Sequence, residues 1–425
     1  MNYHSTERAG GAVSFREAIL RGLPSGGGLY FPDAIPRIPP GTWMGDQGHE
    51  PHELAVEIIW PFAEGSMARA DLERICAEAI DFPFPLVETG PRRHALELFH
   101  GPTLAFKDVG ARFLARAISH FSDRRVTVLV ATSGDTGSAV AQGFHGVEGI
   151  DVVLLYPKGR ISRVQEQQLT TVGGNVVALE VDGAFDDCQA MVKEAFLDGD
   201  LQAARPLTSA NSINIARWIP QATYFASAVQ RLGPDLYFSV PSGNFGNLAA
   251  GLLAHRMGMP CMGFVAATNI NRVVPEYLET GEYQPRRSLP TISNAMDVGA
   301  PSNFVRILRL FEDDLERLRA TVRGFHLDDD ATRERMRQVH DASGYTLDPH
   351  GAIGHAGLDA PLAQRPGATG VFLHTAAPCK FGDVVAHAIG HTPPIPPHLQ
   401  EIIERPKQAI GIPAAYAALR AYLHG

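Results

Sequence analysis

Past about residue 95 the chain alternates between two hydrophobic textures. Short, nearly continuous apolar runs have strand length: ALELFH, VTVLVAT, DVVLLYP, NVVALEV, LYFSVPSG and CMGFVAAT. Between them lie stretches with apolar residues at helical spacing. One runs from about Asp108 to His120, one starts near Thr136 and another near Asn247, and SRVQEQQLTTV and AFDDCQAMVKEAF add two more. Strands alternating with helices predict βαβ units, a parallel sheet with helices on both faces, and right-handed crossovers. The first 90 or so residues read differently. VSFREAILRGL and HELAVEIIWPF have helical periodicity and flank the Gly/Pro-rich loop SGGGLYFPDAIPRIPPGTW, which predicts a small helical unit. The charged stretch EDDLERLRATVRGFHLDDDATRERMRQVHD predicts a solvated helix pair.

Length and composition narrow the class. A chain of 425 residues is too long for one ordinary core, so two to three domains are expected. The formal net charge is −9 and no Lys/Arg run stands out, which argues against nucleic acid or an anionic membrane as partner. An anionic ligand must then be held by a local site. Cys76, Cys188, Cys261 and Cys379 are widely spaced and form no Cys-x-x-Cys pair, so neither a disulfide framework nor a metal site is expected. A reducing cytoplasm follows as the expected location. The N-terminus lacks the apolar core of a signal peptide, and no run is long enough to span a membrane as a helix.

Three features carry chemistry. In GPTLAFKDVG, Lys107 follows a Gly-Pro turn and an apolar run, where a lysine is out of place unless the amine itself is used. In VLVATSGDTGSAVAQ, residues Ser133, Gly134, Asp135, Thr136 and Gly137 join a strand to a helix, and in FSVPSGNFGNLAAG residues Ser242 to Asn247 do the same. Helix starts offer outward N–H groups and a dipole that favours anions, and glycines let the backbone approach a phosphate. Neither turn is a Walker A loop or a G-x-G-x-x-G fingerprint, so a nicotinamide dehydrogenase loses ground. One cofactor joins the three features. Pyridoxal phosphate forms a Schiff base with a lysine amine, needs an N–H cradle for its phosphate, and works on substrates whose carboxylate needs a second cradle. An apolar setting lowers the lysine pKa and frees the amine.

These motifs resemble the pyridoxal-phosphate enzymes of the tryptophan-synthase β fold, and among them the threonine synthases. YHSTER, GLPSGGGLYFP, PKGRISRVQEQQLTTVGGNV, DGAFDDCQAMVK, SANSINIARWIPQ, AATNINRVVP, SNAMDVGAPSNFVR, DPHGAIG and HTAAPCKF follow in the family's order, so the resemblance covers nearly the whole chain. It implies an α/β fold: two doubly wound parallel-sheet domains with a small helical N-terminal domain. The expected boundaries are 1–90 for the helical domain, 91–120 with 205–425 for the large cofactor domain, and 121–204 for the small substrate-carboxylate domain. Lys107 would be the Schiff-base lysine and the catalytic base. Gly243, Asn244, Phe245, Gly246 and Asn247 would bind the cofactor phosphate through backbone N–H and amide groups. Thr375 would meet the pyridine nitrogen, and Asp135 would lie near the phenolic oxygen. Ser133, Thr136 and Gly137 would hold the substrate carboxylate. Arg160, Ser162 and Asn214 lead the candidates for the substrate phosphate, ahead of Arg8, Lys158, Asn211 and Arg217. No metal is implied. The reaction implied is conversion of O-phospho-L-homoserine and water to L-threonine and phosphate, by a monomer or homodimer.

The chain departs from the family pattern in four places. Glu7 is inserted before Arg8, where it could pair with that arginine. Ser25 or Gly26 stands where the glycine loop usually has Asp. Ala377 and Cys379 replace a histidine and a small residue in HTAAPCKF, and Gly351 replaces a threonine in DPHGAIG. The departures lie toward the substrate, which keeps two alternatives open. One is a phospho-lyase, or a γ-elimination/β-addition enzyme with a related phosphorylated amino acid or another nucleophile. The other is a non-catalytic ligand-binding relative, against which the intact Lys107 argues. Cys379 reads as a small buried hydrophobe. His350 and His355 read as core or surface histidines, His374 as one beside the cofactor pocket only by adjacency, and Asp186–Asp187 as a helix start.

Overall fold

The apolar runs become strands that are buried along their length, as in Val126–Ala131, Leu236–Pro241 and Gly263–Thr268. A strand that is apolar on both faces needs cover on both, which is what helices between parallel strands supply. The computed structural model describes residues 1–8, 10–44, 49–132 and 134–424, and among them two such sheets form. The larger has the order Val322–His326, Gly263–Thr268, Leu236–Pro241, Thr369–His374, Arg93–Glu97, Leu86–Gly90. Its pairs are parallel except the last, an antiparallel pair with a register shift between Glu88 and Gly90. The smaller has the order Ile410–Pro413, Val176–Asp182, Ile150–Pro157, Val126–Ala131, Leu207–Thr208, all parallel. No helix among the described residues is long and apolar enough to cross a membrane.

The N-terminal unit is less purely helical than its periodicity predicts. Helices Phe15–Arg21, Pro51–Ala63 and Arg69–Ala79 are present, and Ser14 caps the first in a capping box with Glu17. Beside them lies an antiparallel sheet of order Val13–Ser14, Asn2–Ser5, Tyr30–Pro32. Strands of two to four residues are too short to display an alternation.

Two further expectations are corrected. The stretch read as a solvated helix pair contains helices Leu315–Thr321 and Asp329–Ser343, but TVRGFH between them is the edge strand Val322–His326. That strand exposes three of its five residues, so it lacks the apolar run that marked the inner strands. The C-terminal segment, assigned with 205–425 to the large domain, pairs instead with the smaller sheet. Ile410–Pro413 extends that sheet beside Val176–Asp182, and helix Tyr416–His424 packs on helix Phe185–Leu197. Leu207–Thr208 likewise joins the smaller sheet. Such pairings are long-range and leave no local signal in sequence.

Leu419 is fully buried among Met191, Val192, Leu201 and Leu423 in the core of the smaller sheet. Leu419→Ala is expected to lower stability by about 2–5 kcal/mol. Urea unfolding measures this, and a loss within error of zero would show that the C-terminal helix does not complete that core.

Candidate active site

The four parts of the site are carried at the carboxyl ends of parallel strands, where open α/β sheets present ligands. Lys107 follows Arg93–Glu97, Asp135 follows Val126–Ala131, the 242–247 turn follows Leu236–Pro241, and Thr375 follows Thr369–His374. Lys107 is the first residue of helix Lys107–Phe121. The loop before it is pinned on both sides. Phe106 N donates to Thr375 O at 2.9 Å, Ala377 N donates to Leu104 O at 3.0 Å, and Ala105 and Ala376 form an antiparallel bridge. Leu104 takes a left-handed φ of 58° to make this turn. Asp108, in the first turn of that helix, is fully buried. It reaches back to accept from Thr103 N (2.9 Å) and Thr103 Oγ1 (2.6 Å), closing the Gly101–Pro102 turn, and burial pushes its pKa up to about 6.

The Lys107 side chain is 19 % exposed, so its amine is enclosed yet reachable. Burial lowers its pKa, and the neighbouring charges of Lys380 and Arg217 add to the effect against the pull of Asp135. Asp135 is the second residue group of the site. Its Oδ1 accepts from Lys380 Nζ at 2.7 Å and Gln165 Nε2 at 3.1 Å, while Oδ2 faces Lys107 Nζ at 4.0 Å. Burial alone would raise the Asp135 pKa, but the charges of Lys380 and Lys107 outweigh it and hold the carboxyl below its ordinary range.

The 242–247 turn has the form of an anion cradle. The backbone N–H groups of Gly243, Asn244, Phe245, Gly246 and Asn247 find no acceptor among the described residues. Phe245 is left-handed (φ 61°), and helix Gly246–Arg256 starts here, so successive amides and the helix dipole converge on one side. A Cβ on Gly243 would lie 2.3 Å from Ala295 O, so no side chain fits between the turn and that backbone. The side-chain amides are committed elsewhere, contrary to expectation. Asn247 Nδ2 donates to Pro241 O (2.8 Å) and its Oδ1 accepts from Leu248 N (2.9 Å). Asn244 Nδ2 donates to Ser212 Oγ (2.7 Å) and its Oδ1 accepts from Ser302 N (2.5 Å). They shape the cradle and leave its backbone N–H groups for a ligand. Thr375 is buried, and its hydroxyl makes no hydrogen bond among the described residues. Five open amides, an open hydroxyl and an enclosed amine whose pKa burial lowers fit the phosphate, ring nitrogen and aldehyde of pyridoxal phosphate.

The expected substrate residues divide. Thr136 stands half-buried at the start of helix Asp135–Phe144, and Ser133 lies outside the described residues. Gly137 is corrected: its N–H donates to Thr132 Oγ1 at 2.8 Å and is not open to a carboxylate. Asn214 is also corrected. It is fully buried as the cap of helix Ile215–Trp218, accepting from Ala216 N (3.0 Å) and donating to Ile19 O (2.9 Å). The Ser162 hydroxyl caps helix Arg163–Thr170 in a box with Gln165. Lys158 and Arg160 are exposed, and Asn211 is half-buried. Arg217 is buried, and burial pushes its pKa down to about 10. Arg8 is exposed with φ 55° and lines a cleft of about 520 Å³ with His4, Phe31, Asp33 and Arg309. It forms no ion pair with Glu7 among the described residues; the Ser-Thr element instead binds the glycine loop. Ser5 Oγ donates to Gly27 O (2.6 Å), and Leu29 N donates to Thr6 Oγ1 (3.0 Å).

Sequence reasoning passed over Lys380 and a buried polar chain behind Thr375. Tyr345 OH donates to Glu97 Oε1 (2.7 Å) and lies 2.8 Å from His374 Nδ1. Asp348 accepts from His350 Nδ1 (2.6 Å) and faces His374 Nε2 at 3.2 Å. Burial opposes ionisation of Asp348, but the neighbouring imidazoles outweigh it and hold its pKa low. Lys380 carried the same signal as Lys107, a lysine among apolar residues. The Tyr345–His374–Asp348 chain joins three separate segments and had no signal. Cys379 is buried against Leu104, Ala377 and Leu399, as a small hydrophobe.

Comparison with known proteins agrees over the whole length. Three family models match: pyridoxal-phosphate dependent enzyme over residues 94–376, threonine synthase N terminus over 2–80, and threonine synthase, C-terminal, over 351–423. The threonine synthase of Escherichia coli (strain K12) is 42 % identical over 414 residues, covering 96 % of each chain. That of Haemophilus influenzae is 41 % identical over 433 residues, covering 100 % of this chain and 99 % of the other. The crystal structure of pyridoxal-phosphate-bound threonine synthase from Brucella melitensis superposes with a TM-score of 0.93 at 35 % identity, covering 100 % of this chain and 98 % of that one.

Gly243→Ala is expected to weaken pyridoxal phosphate binding at least about tenfold, or about 1.4 kcal/mol. Absorbance titration of the cofactor-free protein measures it. Unchanged binding by a folded variant would remove the turn from the phosphate site.

Proposed function

The chain belongs to the threonine synthase family of pyridoxal-phosphate-dependent enzymes, and from that membership we propose how its own residues divide the work. The reaction is conversion of O-phospho-L-homoserine and water to L-threonine and phosphate. Pyridoxal phosphate, when bound, supplies a conjugated ring that takes up negative charge from the substrate carbon next to the amino group. Lys107 is the covalent anchor for the cofactor. The five open amides from Gly243 to Asn247 hold its phosphate. The Thr375 hydroxyl faces the ring nitrogen as a neutral partner, and Asp135 lies toward the phenolic oxygen.

The single observation that carries this reading is the meeting of Lys107 and Thr375 through the Ala105–Ala376 bridge, in a chain whose 243–247 amides stand open. Lys107 Nζ then moves protons at the α- and β-carbons. A depressed pKa suits that task, because a base must be neutral to accept a proton at working pH. Phe106, with its ring 5.7 Å from Nζ, limits water at the amine. Thr136, at the start of helix Asp135–Phe144, holds the substrate carboxylate together with Ser133. Arg160, with Lys158 and Arg8, is the exposed cationic set for the substrate phosphate, since arginine presents a planar fork to phosphate oxygens. The protein acts on this small molecule as a monomer or homodimer. Its four unpaired cysteines support a cytoplasmic location.

Supplied with O-phospho-L-homoserine, the protein is expected to release threonine and phosphate in equal amounts. Phosphate with 2-oxobutyrate would overturn the water-addition step and make it a phospho-lyase. Lys107→Ala is expected to abolish the visible absorbance of the bound cofactor and to lower turnover by at least about 10²–10⁴-fold, the range for loss of a positioned base. A coloured, active variant would sink the assignment.

A further inference from the structure

We propose that Lys380 is a positioning residue for Lys107: it clamps Asp135 so that the carboxylate cannot close a hydrogen bond to the Lys107 amine, and it leaves that amine beside a like charge. The inference rests on the reading of Lys107 as the group that must present a free amine. Lys380 has no exposed side-chain surface, and both of its partners are acceptors: Asp135 Oδ1 at 2.7 Å and Thr103 O at 2.8 Å. A buried ammonium with two acceptors is held in one place. Asp135 Oδ1 also accepts from Gln165 Nε2, so that oxygen is committed. Only Oδ2 turns toward Lys107, and 4.0 Å is too long for a hydrogen bond.

The placement has a purpose only if Lys107 must stay reactive. A lone buried carboxylate beside a lysine would take that lysine's proton-bearing form as its counter-ion and hold it charged. With Lys380 already paired to it, Asp135 is satisfied without Lys107. The other charged group acting on Lys107 is Arg217, which also disfavours its charged form. On the same loop, Asp108 is bound to Thr103, and Tyr224 donates to Phe106 O. Lys380 also ties two loops that must meet. It rides on the turn Pro378–Phe381, just after Thr375, and its amine reaches Thr103 on the loop that carries Lys107.

The test is competitive acetylation of Lys107 over a pH series in the cofactor-free full-length chain, read by peptide mass spectrometry. Lys380→Met is expected to raise the Lys107 titration midpoint by about one unit or more, which is about a tenfold slower labelling at any pH below both midpoints. Lys380→Arg keeps the charge and is expected to restore the wild-type profile. A folded Lys380→Met with an unchanged midpoint overturns the proposal, and so does a Lys380→Arg that shifts as far as Lys380→Met. If Lys380→Met does not fold, Asp135→Asn is the second arm. Lys107 then faces Lys380 and Arg217 unopposed, and its midpoint must fall; an unchanged or higher midpoint overturns the clamp. Absorbance of the wild-type protein with pyridoxal phosphate is read separately. A colourless preparation counts against Lys107 as the anchor and leaves the labelling result standing.

Discussion

The structure depends on a short antiparallel bridge between two loops. Ala105 pairs with Ala376, Phe106 N donates to Thr375 O, and Ala377 N donates to Leu104 O. The loops follow two neighbouring strands of the larger sheet, Arg93–Glu97 and Thr369–His374, which are parallel and in register at Glu97 and His374. Strand pairing therefore sets the distance between the loops, and the bridge locks it. Lys107 and Thr375 inherit their relative position from backbone hydrogen bonds. The proposed role, holding a flat ring between that amine and that hydroxyl, gains from this stiffness, because each group is oriented before a ligand arrives.

The electrostatics follow the same economy of parts. The chain is negative overall, yet several cations are buried around the site. Lys380, Arg217 and Arg306 are buried and Lys107 is half-buried, beside the buried Asp135 and Asp108, with Asp348 behind Thr375. Arg306 has no carboxylate partner among the described residues. It donates to Ile213 O (2.6 Å), Asn303 Oδ1 (2.7 Å) and Tyr30 O (3.1 Å), and its guanidinium lies over the Trp218 ring at 4.6 Å. Burial pushes its pKa down to about 9. Asn303 N in turn donates to Asn244 O of the cradle. The groups here that can attract an anion are backbone amides and enclosed cations, whose low-dielectric surroundings strengthen their field. A negative surface charge does not oppose this at close range, because salt screens exposed charges beyond about 10 Å.

Several polar residues in motif positions turned out to act on the protein's own backbone. Asn214 and Ser162 cap helices, Asn244 and Asn247 brace the cradle, and the Gly137 N–H is taken by Thr132. Sequence position alone cannot separate a ligand contact from a cap, since the same donors and acceptors serve both. The difference is decided by whether each atom already has a partner. In this site the open atoms are backbone N–H groups and one hydroxyl, and the side chains nearby hold them in place. The departures at Ala377 and Cys379 fit the same account, because both are buried against Leu104 and leave the bridge unaltered.

What the sequence determined by itself was local. Continuous apolar runs marked the inner strands, because a strand covered on both faces must be apolar throughout. Glycine-rich turns after those strands marked the run of open amides, and a lysine in an apolar setting marked the enclosed amine proposed as the covalent anchor. The tertiary structure decided what depends on distant segments meeting. It placed residues 410–424 on the smaller sheet, made an edge strand of Val322–His326, and put Lys380 against Asp135 across 245 positions of chain, counted from their numbers. Pairing across such separations is set by shape and burial, and an exposed edge strand or a buried ion partner carries no periodicity of its own.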